Sequence, residues 1–577
     1  MDAVYGYVGA RDARIEAAMD AALAHRGVYR HVIRAGNACV GYRGPSKPPA
    51  SKATISGSRL ALVSGSPDFG TTDEPHGARA GGLNEAVLNA IAGAFIWVDW
   101  DGQQLTLVRD PAGERTVYYG VYDGCFVFAS EPKAVLAVPG FPRRLRPGAL
   151  AQYLSFSFVP GSQTMLVDLA ELPAGHLLRW SPGDRSPTPK RYFHFERPSA
   201  TAGQSATDWP GAFRSQLGAI VRQRLLAHDE NDDAPVGSFL SGGLDSSVVT
   251  AELARQTRRP VHSYSIHFGE HYPNELPFAR AVAESVGTIH HELDLRPREF
   301  LPRLRQMIWH LDDPIGDPIT MPNFELASRA ANECRQIFNG EGGDPIFGGP
   351  KNIPMLLHHW YGGVNRGARF REEAYLQSYR RGYEEISRLL TPEFRRLFNV
   401  DEELTEPLTP FFECPHARGF LDKLCAINIR MKGAHLILPK VERMLGAWRV
   451  QAEAPLFDAS LIRMSYRMPN QMRLKDGIEK VVIKDAYRNV VPLEVVLRPK
   501  SGMRVPVHYW FQGELKRYAR RVLSPRSLKR QGIFDPDRVR ELLRYDTQEG
   551  PGRYGLRLWM LLTFELWRRM VIDGEAV

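Results

Sequence analysis

The sequence lacks any apolar run approaching about 20 residues, so no stretch reads as a membrane-spanning helix. Residues Met1 to Tyr7 have no basic flank followed by an apolar core, so they do not read as a secretory leader. Cysteine is scarce. The five present, Cys39, Cys125, Cys334, Cys414 and Cys425, form no Cys-x-x-Cys pair. That argues against a zinc site and a disulfide framework, and it suits a reducing, cytoplasmic setting. The Walker pattern Gly-x-x-x-x-Gly-Lys-[Ser/Thr] is missing, as are internal repeats and low-complexity tracts.

What is present is enough chain for two domains with full cores. Residues 1 to about 195 read as mostly strands with a few helices, in short β-type runs such as Leu60 to Ser64, Ala94 to Trp100, Leu105 to Arg109 and Cys125 to Ala129. A stretch without apolar period, Pro198 to Thr207, marks a linker, and the boundary is placed near residue 205. Phe213, Leu217, Ile220, Val221 and Leu225 then recur at helical spacing. After them strands and helices alternate: Val236 to Leu240, Val261 to Phe268, Ile289 to Leu293 and Gln336 to Asn339 read as strands. This alternation predicts an α/β parallel sheet with ligands at the strands' carboxyl ends. From about residue 350 the pattern is mainly helical. The net charge is +9, with arginines concentrated in Lys516 to Arg521 and Arg526 to Arg530. Such a surface attracts nucleic acid or an acidic peptide. A solvated helix face is the plainer explanation, and no nucleic-acid partner is expected.

The chemistry starts at Ser241-Gly242-Gly243-Leu244-Asp245-Ser246-Ser247. An apolar strand enters it, the glycines bend tightly, and Asp245 to Ser247 open a helix. Amide groups of a bend and a helix start cradle an anion. Asp245 would repel phosphate unless a cation lay between them, so the stretch asks for a polyphosphate and a divalent metal, magnesium by preference. The heptapeptide resembles the pyrophosphate loop of the ATP pyrophosphatases, which cleave ATP between the α and β phosphates. A second motif, Phe338 to Gly349, again sets glycines and acids at a strand end. Asp344 with Asp245 would give magnesium two hard oxygens. Glu341 suits orienting or deprotonating an amine. The competing reading is a glycine-rich turn whose acids cap the next helix. Asp312, Asp313 and Asp317 form either a rigid acidic loop or, at Asp317, a helix cap. His290 and His291 point to opposite strand faces, which favours a structural role. Lys500, on a loop marked by Pro499 and Gly502, is either solvated or placed to neutralise an anionic intermediate.

The order of motifs resembles the glutamine-dependent asparagine synthetases over most of the chain. His25-Arg26-Gly27, Arg109 to Arg115, Ala129 to Ala134 and Leu172 to His176 resemble their amidotransferase half. Ser241 to Ser247, Gly340 to Gly349, Lys440 to Met444 and Lys500 resemble their synthetase half. The resemblance implies an Ntn-hydrolase-like, class II glutamine amidotransferase-like β-rich sandwich over 1–205. It implies an ATP-pyrophosphatase domain with a helical C-terminal part over 206–577. It also implies that a carboxylate attacks the α-phosphate of ATP–Mg2+, pyrophosphate leaves, an amine captures the acyl-adenylate and AMP departs. By motif position, Leu240, Ser241, Gly242, Gly243, Asp245, Ser246, Ser247, Ile266, Asn339 and Gly340 would bind nucleotide. Asp245 and Asp344 would hold magnesium, Glu341 would serve the amine, and Lys500 would stabilise the tetrahedral intermediate.

The departures matter as much. Glutamine hydrolysis in the family uses a cysteine at position two, and here that position is Asp2. The Asn-Gly-Glu-Ile-Tyr-Asn segment that binds glutamine is replaced by Ser64 to Phe69. The Glu-x-Arg-x-Pro segment is Gln451 to Pro455, and the usual Asp-Glu is Asp344-Pro345. A dead glutaminase with a live synthetase is similar to the lasso-peptide macrolactam cyclases and β-lactam synthetases, in which the substrate brings its own amine. The expected substrate is a peptide or small molecule carrying both groups, with a precursor-peptide protease as partner. Asparagine synthesis from free ammonia and a β-lactam synthetase-like activity are the alternatives.

Overall fold

The computed structural model describes residues 2–9, 12–48, 52–69, 85–194, 208–226, 234–349, 352–361, 370–379, 385–414, 417, 419–499, 502–544 and 554–577. Among them, the N-terminal half holds two six-stranded sheets. The first runs Ala170–Glu171, Tyr118–Tyr122, Cys125–Ala129, Ala3–Val8, Ala38–Gly44, Tyr29–Ala35. The second runs Lys190–Arg191, His176–Trp180, Leu105–Arg109, Ala92–Trp100, Arg59–Asp68, Ala53–Ser56. Side chains alternate between the two faces of a strand. Val4, Val8, Val40 and Phe128 of the first sheet therefore meet Leu62, Val98 and Leu107 of the second in one buried layer. Helices Ala13–Ala22 and Pro132–Leu136 pack on the outside of the first sheet. This is the expected sandwich.

The second half is built on a five-stranded parallel sheet, ordered Ile289–Asp294, Val261–His267, Val236–Phe239, Gln336–Phe338, Gln451–Glu453. The chain starts at the central strand, fills one side, then crosses to the other. That leaves a crevice at the carboxyl ends of Val236–Phe239 and Gln336–Phe338, where ligands bind in such sheets. Helices Leu244–Gln256, Leu276–Val286 and Leu304–Leu311 alternate with these strands, as expected of such a sheet. Strand Gln451–Glu453 is an addition to the four strands read from the sequence. Three residues are too few to show a strand period.

From Asn352 the described chain is mainly helical, as expected. The boundary near residue 205 lies outside the described residues; strand Lys190–Arg191 precedes it and helix Trp209–Leu226 follows. No helix among the described residues is long and apolar enough to cross a membrane.

Candidate active site

The Val236–Phe239 strand ends in a loop organised by its own hydroxyls. The Ser241 amide donates to Ser246 Oγ (3.1 Å), and the Ser246 and Ser247 hydroxyls donate to the Gly243 carbonyl (3.1 and 2.8 Å). Ser238 and Thr250 share a 2.7 Å hydroxyl pair that ties the strand to the helix behind it. Gly242 has φ +77°, and a Cβ there would lie 2.7 Å from the Glu275 carbonyl oxygen, so only glycine makes this bend. Helix Leu244–Gln256 starts immediately afterwards, with its first-turn amides facing the loop and Asp245 buried in that turn.

The second motif closes directly onto the first. A Cβ on Gly340 would fall 2.3 Å from the Ser246 nitrogen, so the two loops touch backbone to backbone there. A Cβ on Gly343 would fall 2.1 Å from Asp245 Oδ1. Asn339 anchors this loop to the outer strand. Its backbone and side-chain N–H groups both donate to the Glu453 carbonyl, at 2.9 and 2.8 Å. Its Oδ1 accepts from the Glu341 amide at 3.1 Å.

The two loops bring Asp245 and Asp344 to one cation that sequence reasoning missed. Lys480 Nζ lies 2.6 Å from Asp245 Oδ2 and 2.5 Å from Asp344 Oδ1, and its side chain is 1% exposed. Two carboxylates converging from separate loops are a hard-oxygen donor pair, so a divalent metal such as magnesium fits the residues present. A second missed residue is Arg498. It stacks on Phe278, donates to the Gly242 carbonyl (3.3 Å) and pairs with Glu275. Its place two residues before Lys500 was the available signal. Lys500 itself lies outside the described residues.

Of the other expected contacts, Ile266 is buried at the end of its strand. Leu240 turns its side chain into a cluster with Ala279, Val282 and Val495, and its carbonyl accepts from the Ser265 hydroxyl. Glu341 is partly exposed between Gly340 and the helix Gly343–Phe347. The acidic loop has another use. Asp312 is buried against Lys133 (2.8 Å) and Arg443, while Asp317 turns its chain for helix Thr320–Ala330 and meets Lys440 at 3.2 Å. His290 and His291 bond Ser263 and His262 (2.8 and 3.0 Å), in keeping with a structural role.

The model for the asparagine synthase family matches residues 212–569, more than half the chain, and that for a glutamine amidotransferase domain matches residues 78–193. The chain belongs to the asparagine synthase family. It is accordingly an ATP-dependent, amide-forming ligase, and its two halves are those of the family. Among curated relatives, asparagine synthetase [glutamine-hydrolyzing] 1 of Bacillus subtilis is 23% identical over 85% of this chain and 79% of its own length. A putative asparagine synthetase [glutamine-hydrolyzing] of Mycobacterium bovis is 26% identical over 85% of this chain and 78% of its own. A solved NH3-dependent NAD synthetase from Campylobacter jejuni matches at 12% identity and a TM-score of 0.19, over 35% of this chain and 95% of its own, a likeness too slight to argue from.

Where this family carries its thiol, the structure holds a salt bridge. Asp2 Oδ2 accepts from the Gly65 amide (2.8 Å), and Oδ1 lies 3.1 Å from Arg115 Nη2. Burial would raise the Asp2 carboxyl, but Arg115, Lys52 and the Gly65 amide together hold it well below the usual range. Cys39 offers no replacement nucleophile: burial and the neighbouring Glu16 push its thiol up to about 12. The strand Arg59–Asp68 runs on through the segment expected to bind glutamine, still paired at Pro67 with Gly93 and at Asp68 with Ala92.

The amidotransferase-like motifs instead build the boundary between the halves. Asp110 accepts from the amides of Ala112, Gly113, Glu114 and Arg115. That fold of the loop points Glu114 at Arg224, which also meets Glu453 (3.2 Å). Arg26 pairs with Glu131 and Glu442, and Lys133 with Asp312. Arg109 donates to the Ala434 carbonyl (3.0 Å) and pairs with Glu171 (2.5 Å), which in turn meets His435 at 3.0 Å.

Proposed function

We propose that this ligase takes its amine from the substrate itself and closes a ribosomal peptide into a macrolactam, as lasso-peptide cyclases do. The observation that carries the reading is Asp2, salt-bridged where a glutaminase needs a thiolate, in a chain that keeps the pyrophosphate loop of the synthetase half. Without glutamine hydrolysis no ammonia is made internally. An amine already tethered to the activated carboxylate reacts at high effective molarity.

In this reading the loop Ser241 to Ser247 holds the triphosphate, and Leu240, Ile266, Asn339 and Gly340 position the nucleotide. Magnesium bound by Asp245 and Asp344 would neutralise phosphate charge and ease departure of pyrophosphate. The substrate carboxylate displaces pyrophosphate from the α-phosphate. Glu341 orients the amine and accepts its proton as the C–N bond forms. Lys500 steadies the oxyanion until AMP leaves. A precursor-peptide protease that frees the N-terminal amine is the expected partner, in the cytoplasm.

The relatives' names favour a second reading, asparagine synthesis from free ammonia; a small-molecule amide synthetase of the β-lactam synthetase kind is its nearest variant. Incubation with ATP and magnesium separates them. The cyclase reading expects AMP formation and a mass loss of one water with a candidate precursor peptide, and no asparagine from aspartate plus ammonia. Asparagine at a useful rate, with peptides inert, sinks it.

A further inference from the structure

We propose that Lys480 is a positioning residue that keeps Asp245 and Asp344 occupied until nucleotide arrives, which makes divalent-metal binding contingent on ATP. The inference deepens the reading above and rests on its assignment of the metal to those two carboxylates.

Lys480 reaches the site from a separate element. Strands Leu474–Lys475 and Ile478–Glu479 form a hairpin turned at Asp476 and Gly477. The next residue is Lys480, in left-handed backbone geometry at φ +55° and ψ 39°. Its amide donates to the Arg473 carbonyl (2.6 Å), and helix Val481–Tyr487 begins directly after it. A non-glycine residue adopts this conformation only when its surroundings demand it. Here the demand is visible: the turn aims the side chain inward, to an ammonium shared between two loops.

The charges decide the consequence. Buried Asp245 and half-buried Asp344 repel each other without a cation between them, and a buried ammonium without anions is costly. The trio therefore holds together as it stands. A metal taking the carboxylate oxygens displaces the ammonium, which then needs another anion. Free Mg2+ brings none. A metal–triphosphate brings the dication for the carboxylates and phosphate oxygens for the lysine, so all charges are matched again. Lys480 thus acts as a built-in competitor that only the nucleotide-bound metal overcomes.

The test uses Mn2+ as probe on the full-length protein, followed by loss of the free-ion electron paramagnetic resonance signal without nucleotide. Lys480→Met and Lys480→Gln are expected to bind Mn2+ at least about tenfold more tightly than the unaltered enzyme, the scale of a typical coupling between sites. Lys480→Arg, which keeps the charge, is expected to follow the unaltered enzyme. Adding Asp344→Asn to either neutral variant is expected to abolish the gain. Equal Mn2+ affinity in a folded neutral variant overturns the proposal. So does tight Mn2+ binding by the unaltered enzyme without nucleotide, whatever the variants do. If Asp245→Asn and Asp344→Asn leave binding of Mn2+ with ATP unchanged, the metal assignment itself has failed. If they abolish it while Lys480→Met changes nothing, only this inference falls.

Discussion

His310 shows how one buried side chain sets a pH dependence. Its ring packs edge-on to His25 at 4.7 Å and stacks on Phe324 at 6.4 Å. Burial lowers its pKa from the ordinary 6.5 to about 2, with Lys133 and His25 adding to the effect. The folded protein therefore keeps it neutral, while the unfolded chain takes up a proton near 6.5. Its contribution to stability is complete above that pH and is lost as pH falls. Between pH 7 and 5.5 the loss is about 1 kcal/mol from this residue alone. His310→Phe is expected to be less sensitive to acid by that amount, read from urea unfolding at the two pH values.

At the level of elements, the strand Arg59–Asp68 leads us to expect that one substitution does not confer glutaminase activity. Asp2→Cys restores a thiol, but the strand stays paired through Asp68, where the family has its glutamine-binding segment. The change also leaves Arg115 buried without its carboxylate, a loss of about 3 kcal/mol. Expected is no glutamate release from glutamine and a lower melting temperature; measurable glutaminase activity would contradict this.

The pyrophosphate loop was legible because its chemistry is local: glycines for a bend, hydroxyls and an acid at a helix start. The glycine motif at 340–349 was legible for the same reason, and so was the alternation behind the parallel sheet. Lys480 and Arg498 were not, because each acts on a loop more than 200 residues earlier and nothing in its own neighbourhood encodes that partner. The three-residue strand Gln451–Glu453 was hidden by its shortness. The π-helical stretch Asn428–Ile437, which presents Ala434 and His435 to the sandwich, has no periodic signature to read.

Across the whole molecule, the two halves are joined by buried charge. Arg26 is 1% exposed, between Glu131 of its own half and Glu442 of the other. Removing one member of such a set strands the others, and the cost is large even where the set adds little net stability. Arg26→Met is expected to cost about 3–5 kcal/mol. Adding Glu442→Gln is expected to return part of it, because the pair is coupled. Thermal unfolding of the two variants beside the unaltered enzyme measures both effects. Equal melting temperatures throughout would show that the boundary carries no such load.

That boundary also constrains the history of the gene. A half whose own reaction is dispensable would ordinarily be free to drift or be deleted. Here acids and bases at the seam answer to residues encoded far along the gene, as Arg26 does to Glu442, 416 positions away. Loss of the first half would strand the charges of the second, so substitutions along the seam are expected to be tolerated best as matched pairs.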